Sequence, residues 1–302
     1  MRTAARGALV LLAGLGLLAL RRRGGSAARI VRISRVVADL DRAVEFYRDD
    51  LGFRLASRGP GDPAVPALLG LPGVSAEEAV LRLGDEEIAL VRFDPPGAPY
   101  PADSRSDDLW FQHLAIVVDD MAAAWRRLAA QSPRPISTNG PERLPPRNGS
   151  VTAVKFRDPD GHPLELIQFP PGQGRPVWQR RAGAGLGPFL GIDHSALAVA
   201  STARSLRFYR RLGFRVAARS WNDSPAQSRL DGLAGARVRV TGLRLPSPAG
   251  PGLELLRYVP PGRPAPALPA NARLTDWVTL SGGPAGLKRD PDGHIMFLAG
   301  GR

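Results

Sequence analysis

At 302 residues the chain has room for two ordinary domains or one large one, and 43% apolar with 23% charged residues is a globular composition. The formal charge of +13 is nearly all arginine, Lys155 and Lys288 being the only lysines; the arginines are scattered with few aromatics beside them, which argues for a solvated surface and against a nucleic-acid partner. The absence of cysteine excludes thiol catalysis, disulfides and zinc–thiolate sites.

Taken in chain order, residues 1–28 read as a signal-like or anchor segment. Arg2 and Arg6 precede an apolar run from Ala8 to Leu20, which at about 1.5 Å per residue falls short of the ~30 Å bilayer core. The pattern favours export to the periplasm, with an uncleaved membrane anchor or a cytoplasmic chain as the alternatives. Any membrane contact is expected through this segment alone.

A short apolar strand, ISRVVA, comes next. Leu40, Ala43, Val44, Tyr47 and Leu51 then fall on one helical face, with Asp39 as N-cap and Gly52 as the left-handed stop. Ile88 to Gly97, IALVRFDPPG, closes this unit. A second unit opens with HLAIVV and continues in a helix carrying Met121, Ala124, Trp125 and Leu128. It ends with a turn and strand, RDPDGHPLEL, from Arg157. From His194 the first unit recurs: STARSLRFYRRLGFRV repeats the helix and LELLRYVPPG repeats the closing strand. A shortened second unit follows from Leu274, ending in RDPDGHIMFL. Pro/Gly/Arg-rich linkers run about Asp94–Asp108, Gln173–Pro188 and Pro260–Ala272. No phosphate loop, dinucleotide motif or nucleophile–His–acid set stands out, so no nucleotide cofactor is expected.

The chain is therefore expected to be α+β, made of four tandem βαβββ units with the last truncated. This arrangement resembles the vicinal-oxygen-chelate superfamily, the glyoxalase, bleomycin-resistance and extradiol-dioxygenase group. The likeness rests on Asp39-Leu40-Asp41-Arg42-Ala43, Phe46-Tyr47, Leu51-Gly52-Phe53 and Arg157–His162 with Leu164-Glu165-Leu166. The resemblance implies units that pair into curved cups of mixed sheet. Consecutive pairing is the expectation: 29–172 as one pair, 173–190 as linker, 191–302 as the second pair. It also implies inward-facing ligand positions on the first and last strands of each unit: Arg32, His113, His194 and Val278, then Ala89, Glu165, Glu254 and Phe297. Two units keep His and Glu there; two have lost both.

Alternation along a strand sets Glu165 with Ile167 and Phe169, and Glu254 with Leu256 and Tyr258. A carboxylate on such a face needs a cation or several donors. His113, Glu165, His194 and Glu254 are therefore the candidate metal ligands, complete as a set of four only if the second and third units share a cup. Imidazole and carboxylate without sulfur suit Fe, Mn, Ni or Zn. Arg32, Trp110 and Phe111 are candidate substrate contacts, Trp221 and Trp277 further stacking surfaces, and Tyr47, Tyr209 and Glu45 conceivable acid–base groups. His162 and His294 both follow Asp-Pro-Asp-Gly, which points to a turn role. The expected function is a metal-dependent lyase, isomerase or dioxygenase-related enzyme acting on a small molecule, with a homodimer able to complete half-sites. The alternative is a metal-free binding or resistance protein using the same cup. A metal-site pattern, a leader and a stacking wall thus all make testable demands on the fold.

Overall fold

In a computed structural model, residues 28–282 and 284–300 are described; the leader expected over 1–28 lies almost wholly outside them. Among the described residues no helix is long and apolar enough to cross a membrane.

The first unit comprises β1 (Ile30–Val36), α1 (Leu40–Glu45), β2 (Arg54–Pro60), α2 (Ala64–Leu69), β3 (Ser75–Leu83) and β4 (Glu86–Asp94). The second has β5 (Gln112–Val118), α3 (Met121–Ala129), the short β6 (Arg134–Pro135) and β7 (Glu142–Arg143), then β8 (Thr152–Arg157) and β9 (Pro163–Gln168). A linker helix α4 (Pro176–Arg181) leads to the third: β10 (Phe189–Ala198), α5 (Thr202–Arg211), β11 (Arg215–Asn222), α6 (Pro225–Asp231), β12 (Val238–Arg244) and β13 (Gly252–Tyr258). The fourth keeps only β14 (Asp276–Ser281), β15 (Gly286–Arg289) and β16 (Ile295–Ala299).

Local chemistry sets the helix ends. The Asp39 carboxylate accepts from Arg42 N, Asp120 from Ala123 N and Ser201 from Arg204 N, which satisfies a donor left free in each first turn. Gly52 at φ +74° and Gly213 at φ +91° let the chain reverse after the helices of the first and third units. Asp158 Oδ1 accepts from the backbone N–H of Asp160, Gly161 and His162, and Asp290 Oδ1 does the same for Asp292 and His294. The two Asp-Pro-Asp-Gly-His turns are thus closed on their first carboxylate.

These turns also join consecutive units. Tyr47 donates to Asp158 Oδ2 at 3.0 Å, and His162 Nε2 meets the Val36 carbonyl at 2.8 Å. Tyr209 donates to Asp290 at 3.1 Å, and His294 Nε2 meets the Ala198 carbonyl at 2.9 Å. Both histidines therefore serve the turn and its docking, and Tyr47 and Tyr209 are fully buried parts of the same joint.

The sheets join different partners. One runs β15-β16-β14-β1-β4-β3-β2, the other β11-β12-β13-β10-β5-β9-β8-β6 with β7 also paired to β8. The first unit shares its sheet with the fourth, and the second with the third, so the cup-forming pairs differ from the consecutive order expected. Each unit leaves its first strand at an open edge, and these edges meet antiparallel as β1–β14 and β5–β10. The largest core cluster takes in one face of both sheets and the buried sides of α1, α3 and α5, including Ile33, Leu81, Leu114, Ile116, Leu164 and Leu206. The opposite faces of the two curved sheets carry separate, smaller clusters.

Candidate metal centre

In the nine-stranded sheet, β5 and β10 lie side by side, each flanked by the last strand of its own unit. Register puts His113 opposite Ala196 and His194 opposite Ala115, with Ala115 beside Glu165 and Ala196 beside Glu254. Alternation turns all four side chains to the same concave face. The alanines between them leave that floor open, and Val117, Ile167, Leu256 and Tyr258 continue it.

The side chains converge. Glu165 Oε2 lies 2.7 Å from His113 Nε2 and 4.0 Å from His194 Nε2, and Glu254 Oε2 is 3.5 Å from His194 Nε2. One ligand atom from each of His113, Glu165 and His194 falls within 4.8 Å of the others. Glu254 stands further out, its side chain 29% exposed against 8% for Glu165.

Neither ring nitrogen of His113 completes a hydrogen bond, despite the short approach to Glu165, nor does His194 Nε2. Buried imidazole nitrogens without partners are costly. Here one nitrogen of each ring and a Glu165 oxygen lie within 4.8 Å of one another, close to the spacing of ligands about 2 Å from one ion. The donor set therefore fits a divalent cation.

The local charges are strongly perturbed. Burial, reinforced by the Lys155 charge, pushes His113 down to about 4, so its ring is neutral. Burial opposes ionisation of Glu165, but His113, Lys155 and His194 together hold it at about 2. Because His113 is neutral near pH 7, the charges that keep Glu165 ionised are those of Lys155 and His194. Burial also works against a charged His194, yet Glu254 and Asp193 lift it to about 9. Burial, with Glu165 and Asp193 nearby, raises Glu254.

Asp193 escaped the sequence reading. Its Oδ2 is 3.0 Å from His194 Nδ1, and its Oδ1 accepts from Trp178 Nε1 at 2.5 Å. It thereby fixes which His194 nitrogen faces the cup. Trp178 comes from α4, where Arg175 and Arg181 each lie 5.2 Å over its ring, and Arg181 in turn pairs with Glu86 of the first unit. The one available signal was the carboxylate directly before His194. Lys155 was missed too. It pairs across the sheet with Glu165, and its Nζ is 2.7 Å from Asp231 Oδ1.

The remaining candidates lie apart. Arg32 faces the concave side of the other sheet, paired with Glu78 at 3.1 Å and Glu87 at 3.3 Å. There Ser34 aligns with Ala89 and Thr279 with Phe297, so the first-strand position of the fourth unit is Trp277, two residues before Thr279. The expected Val278 points instead into the main core. Trp277 packs against Phe297 with ring centroids 5.7 Å apart. Phe111 is fully buried, its ring 6.0 Å from that of His113, and Trp110 lies under the Arg263 guanidinium. Neither Trp110 nor Phe111 lines the cup cavity, and Glu45 borders a separate surface hollow.

Comparison with known proteins accounts for this layout. The Glyoxalase/Bleomycin resistance protein/Dioxygenase superfamily model matches residues 29–166. A lactoylglutathione lyase from Haemophilus influenzae is 30% identical over 135 residues, 44% of this chain and 86% of that protein. The chain belongs to the glyoxalase/bleomycin resistance/dioxygenase superfamily. A second superfamily relative, a 2-epi-5-epi-valiolone epimerase from Actinomyces sp, is 32% identical over 154 residues, covering 48% of this chain and 82% of its own. A glyoxalase I mutant from Zea mays superposes with TM-score 0.58 at 19% identity, spanning 90% of this chain and 92% of that one. A putative dioxygenase from Bacillus subtilis gives 0.54 at 13% identity, over 91% and 85%. These last two establish the glyoxalase-type fold across nearly all of the superfamily member described here.

Proposed function

We propose that the chain is a divalent-metal-dependent enzyme of the lyase, isomerase or epimerase type, acting on a small organic molecule with oxygens on adjacent carbons. The observation that carries this reading is the buried convergence of His113, Glu165 and His194 with unpartnered imidazole nitrogens. Relatives named as a lactoylglutathione lyase and a 2-epi-5-epi-valiolone epimerase support the lyase or epimerase class.

His113, Glu165 and His194 would hold the cation. When bound it would supply Lewis-acid polarisation of the substrate oxygens, which acidifies the neighbouring C–H. The protein's own groups do the rest. Glu254, at the outer edge of the cluster, is a stronger base than a free carboxylate because burial and nearby carboxylates raise its pKa. It takes the carbon-bound proton while the electron pair moves to the carbonyl oxygen. It then returns the proton to the former carbonyl carbon, while the hydroxyl proton of the carbon that lost its hydrogen passes to the former carbonyl oxygen, which completes the isomerisation. Asp193 holds His194 in place throughout.

Elemental analysis of purified protein tests the reading. About one equivalent of Fe, Mn, Ni or Zn is expected, and His113→Ala with Glu165→Ala should abolish it. Protein that binds none of these metals stoichiometrically in the micromolar range is instead a metal-free binder.

A further inference from the structure

Resting on that reading, we propose that the substrate is a compact, uncharged, hydroxyl-rich carbonyl compound of monosaccharide or cyclitol size, and not a glutathione adduct. The cup holds about 260 Å³. That is room for on the order of ten waters at ~30 Å³ each, and it sits below the roughly 300–1,000 Å³ of sites for drug-sized ligands. A six-membered polyol ring fills such a space; a tripeptide thiol adduct leaves most of itself outside.

Charge argues the same way. Among the described residues lining the cup, the side chains with a basic nitrogen are His113, His194 and Lys155, and His113 is neutral. The two histidines are the candidate ligands, and Lys155 is committed to Asp231 at 2.7 Å. No free cation is left on that wall for the carboxylates of a glutathione conjugate.

The cup lining also carries hydroxyl and carboxamide groups. Ser220, Asn222 and Gln227 form one hydrogen-bonded run, with Ser220 Oγ donating to Asn222 Oδ1 at 2.7 Å and Asn222 Nδ2 to Gln227 Oε1 at 2.9 Å. Tyr258 lines the cup beside it at 3% exposure, and its hydroxyl, although next to Asp231, completes no hydrogen bond. Asp231 accepts from Lys155 on one oxygen and from Gln227 on the other. A buried hydroxyl without a partner costs stability unless a ligand supplies one. Substrate hydroxyls would do so, while Val240 and Leu256 meet the C–H face of the ring.

The test offers metal-loaded protein scyllo-inosose, a neutral cyclitol ketone, beside the hemithioacetal of methylglyoxal and glutathione. Deuterium exchange at the carbon next to the carbonyl is read by NMR, with binding read separately as a thermal shift. The expected result is at least tenfold higher kcat/KM for the inosose, and a thermal shift with inosose but not with S-hexylglutathione. Tyr258→Phe should cost about tenfold in kcat/KM, through KM, and leave the melting temperature of the ligand-free protein unlowered. Preference for the hemithioacetal, or a Tyr258→Phe protein with parental KM for inosose, overturns the substrate class while the metal-enzyme reading stands. Exchange in neither compound by metal-loaded protein overturns both.

Discussion

Asp193→Asn isolates how much the metal centre owes to the carboxylate behind His194. The substitution keeps the shape of a buried side chain but removes its charge and half of its acceptor capacity. Asp193 now accepts at 2.5 Å from Trp178 Nε1 on one oxygen and meets His194 Nδ1 at 3.0 Å on the other, with Arg244 at 3.4 Å. An asparagine has one acceptor oxygen, so it keeps Trp178 or His194 but not both. His194 is then free to turn or to change tautomer. Loss of such an orienting partner costs about 10–100-fold in metal affinity, or roughly 1.4–2.7 kcal/mol. One effect acts in the opposite sense. Asp193 helps hold His194 at about 9, so near pH 7 protons compete with the metal more strongly in the parent than in the variant. Competition against a chromophoric chelator is therefore best run at about pH 8.5, where the proton term shrinks. Trp178→Phe should give a smaller loss of a few-fold, because the carboxylate remains. Parental affinity in Asp193→Asn at both pH values refutes the orienting role.

Further outcomes follow from the same geometry. Metal binding near pH 7 should release about one proton, from His194 held at about 9 and not from His113 at about 4; calorimetry in buffers of different ionisation heat measures it, and release of none contradicts the charge assignment. Gly191→Ala should destabilise the protein by about 2–4 kcal/mol, seen as a fall in melting temperature. Its φ is +151°, and a Cβ there meets Glu86 Oε2 at 2.5 Å and Trp178 at 2.8 Å. The folded-state pKa of His162 is raised: burial opposes the charge, but Asp158 and Asp276 outweigh it. Its charge therefore stabilises the fold fully below the unfolded value of about 6.5, and that contribution fades as pH rises through the folded value. His162→Gln should accordingly cost more in denaturant unfolding at about pH 6 than at about pH 9, and an equal or reversed cost rules the linkage out.

The units themselves were legible because their punctuation is chemical. Asp39, Ser201, Gly52, Gly213 and the paired Asp-Pro-Asp-Gly-His turns each satisfy a local backbone requirement that shows in a few residues of sequence. The period of two that set Glu165 with Ile167, and His113 with Ala115, is equally local. Partner choice between units is not local. Nothing in ISRVVA says that its open edge meets WVTL instead of HLAIVV, because any first strand presents similar backbone donors and acceptors. The placement of Val278 for Trp277 shows the penalty of a one-residue slip, which sends a side chain to the opposite face. Asp193 showed in the sequence only as a carboxylate before His194, because its meaning depends on Trp178, delivered by the linker helix α4.

The pairing of β1 with β14 has a bearing on how the polypeptide matures. Ile30, among the earliest residues of the folded body, finds its neighbour in Leu280, near the far end. During synthesis that seam stays open until the fourth unit has been made, so the nascent protein carries an unpaired strand that must be kept from pairing with other chains. Seen this way, the short fourth unit serves as a clasp: its described residues form no helix and hold no His–Glu pair at the ligand positions, and what it contributes is the strip of sheet that seals the first.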